Sequence, residues 1–521
     1  MKRIEMNIDI NRAEGDLEIA LSLEGNRVVE ARTVGNLYRG FEQILIGRSP
    51  RDAMVITPRV CGICGTAHLY TSTLALEHAW QLPVPPNASR IRNLCLFVEG
   101  MLSDLRQTFL YFAADFCHAG YQKKPWFIET KNFFEPFKGE IYLETLAITR
   151  DLVGIVALFG GQWPHSSYML PGGVVAPPEP KRLLAVGSIL DKTQQWYEKR
   201  VMGMELDAWL ELHSAEAYFA KLQENAHASS ALGLLSRACR DLKLHELGKG
   251  TQHMLSYGTG CNPELWTPGG SNRLLAGGVF NADNGQIESL NQLHIAEHVR
   301  YSWFKPYPGG RHPYEGETIP DYQPWAPPYS DRYTWAKAPR YDEKVMQTGP
   351  LAELIIGGDL LLRNINALEG SGAWLRQFAR IRRVGYELRL ARQMLNQLTL
   401  NLDDPHYFPP PAGHAVDGEG FGMLMAARGA LGHWLKIADG KIAKYQIITP
   451  TAWNASPRDS FDQAGHWELS LVGLEIADLE DPIEVEHIIR SHDPCMVCTV
   501  HMVKPKSDNH PSEGKRLVFE F

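Results

Sequence analysis

Cysteine is scarce in this chain, with eight in 521 residues. That is far too few for a disulfide scaffold, and a chain of this length can bury a core without staples. Long apolar runs are missing too. The best candidate, Leu152 to Phe159, is cut off by Gly160, Gly161 and Pro164, well short of the roughly 18 residues that span a bilayer. The start, Met1-Lys2-Arg3-Ile4-Glu5, is charged but leads into no apolar segment, so no secretory signal is visible. A basic excess is absent as well. The 52 Lys and Arg face 60 Asp and Glu, a net charge of −8, which argues against nucleic acid as a partner. What is present is ordinary globular material: 44% hydrophobic and 21% charged residues exclude general disorder. The length allows about three domains or one large helix-rich unit.

Residues 4 to 33 alternate in the manner of strands, with Ile4, Met6, Ile8 and Ile10, then Leu17, Ile19, Leu21 and Leu23, each two apart. A turn at Glu24-Gly25-Asn26 completes the pattern of a small antiparallel sheet within about 1–35. From about 67 the period becomes helical. Ile91, Leu94, Cys95, Val98, Met101, Leu102, Leu105 and Phe109 form one apolar stripe. Further helices are expected over roughly 139–159, 180–222, 228–246, 350–398 and 482–490. The middle, 250–348, is rich in Gly, Pro and aromatics and reads as long ordered loop with short strands. A second loop covers 404–420. His433 to Pro450 reads as a hairpin turned at Asp439-Gly440. The last 20 residues, Met502 to Phe521, are polar and read as an appendage to a single unit spanning 1–501.

Four of the cysteines form two CxxC pairs, Cys61/Cys64 and Cys495/Cys498. The other four, Cys95, Cys117, Cys239 and Cys261, are scattered and read as core or loop thiols. Two thiolates on one turn can grip a single soft metal ion. From Cys64 to Cys495 is 431 positions, whereas zinc ribbons bring their second pair about 15–20 residues after the first. A site joining both ends of a chain has to lie at the centre of the fold. Spacing alone leaves a redox metal centre, a structural zinc and a redox thiol pair open, with the first favoured.

The flanks sharpen the reading. Pro58-Arg59-Val60-Cys61-Gly62-Ile63-Cys64-Gly65-Thr66-Ala67-His68 and Asp493-Pro494-Cys495-Met496-Val497-Cys498-Thr499-Val500-His501 together resemble the two signature motifs of the large subunit of nickel–iron hydrogenases. The resemblance covers nearly the whole chain. Arg12-Ala13-Glu14-Gly15-Asp16-Leu17, Arg39-Gly40-Phe41-Glu42 with Gly47-Arg48-Ser49-Pro50-Arg51-Asp52-Ala53, Ala427-Arg428-Gly429-Ala430-Leu431-Gly432-His433-Trp434 and Thr451-Ala452-Trp453-Asn454 match further family segments. One departure is Ala427, where relatives often have proline.

The resemblance implies a mainly α (α+β) fold, a large helical unit with small peripheral antiparallel sheets. It implies a nickel–iron centre with carbon monoxide and cyanide on the iron. Cys61 and Cys495 are then terminal nickel ligands, and Cys64 and Cys498 bridge to iron. Glu14 takes the place of the proton-relaying glutamate. Glu42, His501 and the main-chain carbonyl of Ile447 fall where the family holds magnesium. Asp104, Arg428 and Asp493 fall above the metals, Asp104 on the weakest local match, and His68 where a histidine meets a bridging sulfur. The implied activity is dihydrogen oxidation, of the uptake type. The implied partners are an iron–sulfur small subunit, a maturation endopeptidase that removes 502–521, and nickel-insertion factors. A higher oligomer of heterodimers, and a cytoplasmic or peripheral-membrane location, are expected.

The residue types suit this chemistry. Splitting dihydrogen heterolytically requires a Lewis-acidic metal and a nearby base. A guanidinium such as that of Arg428 offsets thiolate charge permanently, and a hard carboxylate such as that of Glu42 suits magnesium. Rivals are a dihydrogen sensor with the same metals, a zinc protein, and the related quinone-site subunit of respiratory complex I. The four cysteines argue against the last, and the 20 residues after His501 favour the catalytic branch over the sensor. His294-Ile295-Ala296-Glu297-His298 fits the inverted zinc-protease pattern H-x-x-E-H, but such a short match arises readily among 19 histidines.

Overall fold

The computed structural model describes residues 3–9, 17–267, 272–322, 332–410 and 416–494. Glu14, Cys495, Cys498, His501 and the 502–521 extension lie outside the described residues. The alternating N-terminal segment forms a three-stranded antiparallel sheet of β1 (Arg3–Asp9), β2 (Leu17–Glu24) and β3 (Arg27–Gly35). Leu17, Ile19, Leu21 and Leu23 all point inward, because a strand sends every second side chain to the same face. That face packs on Trp467 and Leu471 of helix α7 (His466–Leu471) and on Ile488 and Ile489 of helix α8 (Ile483–Arg490). The first and last described parts of the chain therefore share one core.

The main core is helical. Helix α1 spans Gly65–Trp80, α2 Pro86–Arg106, α3 Glu140–Gly160, α4 Pro180–Trp196, α5 Pro350–Gly357 and α6 Ala373–Leu400. Of the stripe read from the sequence, Ile91 to Leu105 lies on α2, which packs along α6 and α3, and Phe109 falls on the helical turns just after it. The expected helix over 350–398 is three helices. Gly358 and Gly370 have φ of 104° and 75°, a left-handed backbone that ends a helix and favours glycine. The expected helix over 180–222 is likewise broken, at Gly203 with φ 65°. The middle of the chain is loop with strands of three or four residues, as read. Among the described residues, no helix is long and apolar enough to cross a membrane.

A second sheet carries the late motifs: β4 (Gly418–Ala426), β5 (Gly429–Ala438) and β6 (Lys441–Ile448), antiparallel in chain order. The Asp439-Gly440 turn joins β5 to β6 where the sequence placed it. Helix α1 lies flat across β4, and glycine permits the approach. A Cβ at Gly420 would strike the Ala75 carbonyl oxygen, and one at Gly422 that of Thr71. Gly422→Ala is expected to push α1 off the sheet and cost about 1–3 kcal/mol, the usual penalty for overpacking. A lower thermal midpoint checks this, and an unchanged midpoint refutes it.

Candidate metal centre

Cys64 is the N-cap of α1 and is buried, while Cys61 is half-buried on the turn before it. The turn is held from both sides. Arg39 Nη2 donates to the Val60 carbonyl at 2.6 Å. From α2, Glu99 accepts the Thr66 and Ala67 amides at 2.8 and 2.9 Å. Glu99 thus satisfies two of the amides that a helix start leaves open. Burial pushes its carboxyl up to about 7. His68, one turn along α1, is buried, and burial lowers its imidazole to about 4. Its Nδ1 lies 3.1 Å from Nε2 of His433 on β5.

The turn between β4 and β5 carries Ala427 and Arg428. Arg428 Nε pairs with Asp493 Oδ1 at 3.1 Å, two residues short of Cys495. Arg380 on α6 bridges Asp104 at 3.1 Å and Asp493 at 3.4 Å. Arg383, one turn further on, grips Asp104 with Nε at 2.7 Å and Nη2 at 2.8 Å. It also pairs with Glu353 of α5 at 2.8 Å and donates to the Ala427 carbonyl. Burial pushes the Asp104 carboxyl up, and these guanidiniums pull it back. Burial drives the Glu387 carboxyl well above the ordinary range, although Arg383, 3.9 Å away, opposes the shift. Arg376, also buried, donates to the Ser491 hydroxyl at 2.8 Å and to the Ser371 carbonyl. Four buried guanidiniums (376, 380, 383, 428) thus lie among four buried carboxyl groups (104, 353, 387, 493). So dense a group of guanidiniums suits a neighbouring anionic centre, as four thiolates would make.

Glu42 sits in a third cluster. Its Oε1 accepts the Ile447 amide at 2.8 Å, so the contact with Ile447 is made by the N–H. Buried Lys337 lies 3.8 Å from Glu42 Oε2 and 3.1 Å from Glu297 Oε2. Glu297 and Glu42 raise the Lys337 ammonium above its ordinary range against the opposing effect of burial. All four residues line a cavity of about 210 Å³, enough for several waters. A carboxylate lining a cavity of this size fits a magnesium ion, which keeps part of its water shell. Among the described residues, no trio of His, Cys, Asp or Glu side chains forms a complete metal site. The described part supplies two of the four expected thiols.

The H-x-x-E-H segment does not form a zinc site. It lies mostly on the strand Ile295–His298, not on a helix. His294 pairs with Asp342 at 2.8 Å, Glu297 with Lys337, and His298 with Glu343 at 3.0 Å.

A family model described as nickel-dependent hydrogenase matches residues 39–118 and 137–501, which include both thiol pairs. The chain belongs to this family. The periplasmic [NiFeSe] hydrogenase large subunit of Desulfomicrobium baculatum is 29% identical, covering 96% of this chain and 95% of the relative. The uptake hydrogenase large subunit of Bradyrhizobium diazoefficiens is 28% identical, covering 97% and 96%. The reduced Ni-Fe-Se hydrogenase of D. vulgaris Hildenborough superimposes with a TM-score of 0.78 at 28% identity, covering 95% of this chain and 99% of that one. The fold is therefore that of a nickel–iron hydrogenase large subunit, and the chain is an oxidoreductase with a nickel–iron active site. Such large subunits generally pair with a small subunit.

The structure brings Cys61, Cys64 and His68 to the start of one helix. It joins Asp104, Arg428 and Asp493 in one ionic network, and it sets Glu42 against Ile447. The sequence reading did not single out Glu99, Arg380, Arg383 or Lys337, which hold these candidate groups, nor His433 as the partner of His68. Only His433 stood inside a recognised segment, and no local pattern marks the others.

Proposed function

We propose that this hydrogenase subunit works as an uptake enzyme, oxidising dihydrogen to protons and to electrons that leave through an iron–sulfur small subunit. The observation that carries the reading is the Arg428–Asp493 clamp. It anchors the chain two residues before the second thiol pair, in the same network as the turn beside the helix that bears the first. The uptake relative supports the direction of turnover. The four scattered cysteines support the need for a partner, because among the described residues they join no metal-binding trio.

In this reading Cys61, Cys64, Cys495 and Cys498 hold nickel and iron, with carbon monoxide and cyanide completing the iron. Glu42, Ile447 and His501 hold magnesium. The bound metals supply hydride acceptance and polarise dihydrogen. The chain's own groups do the rest. A thiolate takes the proton, Glu14 carries it away, and Arg428 offsets the thiolate charge above the site. The segment 502–521 is removed between His501 and Met502 during maturation by an endopeptidase, after insertion factors have loaded nickel. The holoenzyme is cytoplasmic or peripheral on the membrane and assembles as an oligomer of heterodimers.

Metal analysis with infrared spectroscopy tests the core of this. The purified enzyme is expected to contain one nickel per large subunit, magnesium, iron in excess of nickel because the small subunit carries iron–sulfur clusters, and bands of iron-bound carbon monoxide and cyanide. Zinc in place of nickel, with no such bands, overturns it. The intact mass of the active enzyme tests the maturation step: a chain ending at His501 is expected, and an active, nickel-loaded chain that still includes Phe521 refutes it.

A further inference from the structure

A further buried cluster lies where α6 and α7 meet the segment that follows α8. Arg376 stands on α6, His466 opens α7, and His492 lies two residues beyond α8. Relative exposures of 5%, 0% and 3% put all three side chains out of reach of solvent. The rings of His466 and His492 are 4.7 Å apart and perpendicular. Arg376 reaches the same segment, since its Nε donates to the hydroxyl of Ser491, the residue before His492. The loop through Gly248 and Gly250 crowds the cluster. A Cβ at Gly248 would lie 3.0 Å from Arg376 Nη2, and one at Gly250 would lie 2.5 Å from His466 Nδ1.

Among the described residues, Arg376 Nη2, His466 Nε2 and both ring nitrogens of His492 have no hydrogen-bond partner. His466 Nδ1 accepts the Thr251 amide at 3.2 Å, so the hydrogen of that ring is on Nε2. Burial, and after it Arg376, lowers both imidazoles well below the ordinary range, so each is neutral and His492 carries one hydrogen. The guanidinium nitrogen only donates. The unpartnered atoms therefore offer at least three donors against one acceptor. Charge is unbalanced in the same sense. The described partners of Arg376 are a hydroxyl and the Ser371 carbonyl, both neutral. Asp493, next to His492, is engaged by Arg428 and Arg380. A buried cation without a counter-charge is costly. A water molecule brings as many hydrogens as lone pairs, so it corrects neither the donor excess nor the charge.

We infer that Arg376, His466 and His492 hold a small inorganic anion of the chloride type, seated on Arg376 Nη2 and on one N–H of each imidazole. Such an ion accepts from all three donors and balances the guanidinium through charge-assisted hydrogen bonds. The crowding at Gly248 and Gly250 favours a single-atom ion over a tetrahedral oxyanion. Its place gives it a task. It fastens Ser491 and His492, a few residues short of Cys495, to α6 and α7, so that the second thiol pair is approached from a fixed anchor. The site stands apart from the nickel–iron reading, because none of its three side chains is a proposed metal ligand.

Crystals of the holoenzyme soaked in sodium bromide test this, because bromide follows chloride and scatters anomalously. An anomalous peak within hydrogen-bond reach of Arg376 Nη2, His466 Nε2 and His492 is expected at bromide concentrations far below molar. In solution, replacing chloride by gluconate at constant ionic strength is expected to lower the thermal midpoint of the holoenzyme, since a ligand that binds only the folded state stabilises it. Arg376→Met removes the cation at similar length and is expected to lose the bromide peak and the chloride dependence together. Should that variant not fold, His492→Phe keeps a buried ring and deletes one donor. It is expected to raise the half-saturating bromide concentration about tenfold or more, the worth of a hydrogen bond to a charged group. A peak that appears only at molar bromide marks an adventitious ion only and overturns the site. Water alone at these donors in wild type, with a midpoint indifferent to halide, overturns it as well, and so does bromide binding unchanged in the variants.

Discussion

Cys64→Ser is expected to give a folded chain that retains no nickel and has no hydrogenase activity. The expectation of a normal fold comes from the start of α1. Cys64 occupies the N-cap but makes no side-chain capping bond there. Glu99 caps the helix from α2 instead, and serine is a good N-cap residue in any case. The loss of metal comes from ligand chemistry. The thiolate is the soft ligand that suits nickel, and a serine hydroxyl does not ionise near neutral pH. On the proposed assignment Cys64 is one of four ligands and bridges both metals, so its loss removes nickel and iron contacts together. Nickel content measured on the purified heterodimer, beside its circular dichroism spectrum, checks both halves. Full nickel occupancy in a folded Cys64→Ser variant refutes the assignment of this cysteine.

Much of the fold was legible because local pattern and tertiary role coincide. The two-residue alternation of Leu17 to Leu23 is the burial pattern of β2, and Asp439-Gly440 turns β5 into β6. Where the reading ran helices together, glycines with positive φ broke them at Gly358, Gly370 and Gly203. The first thiol pair was legible from its motif, and the structure adds what holds it. The arginines of α6 show why the rest was hidden. Arg376, Arg380, Arg382 and Arg383 occupy four of eight helical positions, a density that ordinarily marks a solvated face. All four are buried instead. Two of the partners that make this tolerable, Asp104 and Asp493, lie 276 and 113 positions from Arg380. The other two, Glu353 and Asp359, lie in the same 350–398 stretch but reach α6 only because the chain breaks and folds back at Gly358 and Gly370. Glu99 and Lys337 were hidden in the same way, since each acts on a residue more than 30 positions distant.

Asp104→Ala is expected to cost about 3–5 kcal/mol of stability, the range for breaking a buried ion pair by removing one partner. Asp104 is fully buried and accepts from two guanidiniums, twice from Arg383 and once from Arg380. Its removal leaves Arg383 on Glu353, Glu387 and the Ala427 carbonyl and turns Arg380 wholly toward Asp493. Since Asp493 also holds Arg428, the loss reaches the turn beside the thiol sites. The cluster loses a buried carboxylate and keeps all its guanidiniums, and desolvation of the charge left unmatched supplies the cost. Removing both partners behaves differently. Asp104→Leu combined with Arg383→Met replaces an ion pair with apolar groups, so it is expected to recover much of the loss, less whatever Glu353 suffers on losing its own cation. Thermal inactivation midpoints of the heterodimer rank the three proteins as wild type, double variant, then Asp104→Ala. A midpoint for Asp104→Ala that coincides with wild type shows that Asp104 does not anchor this network.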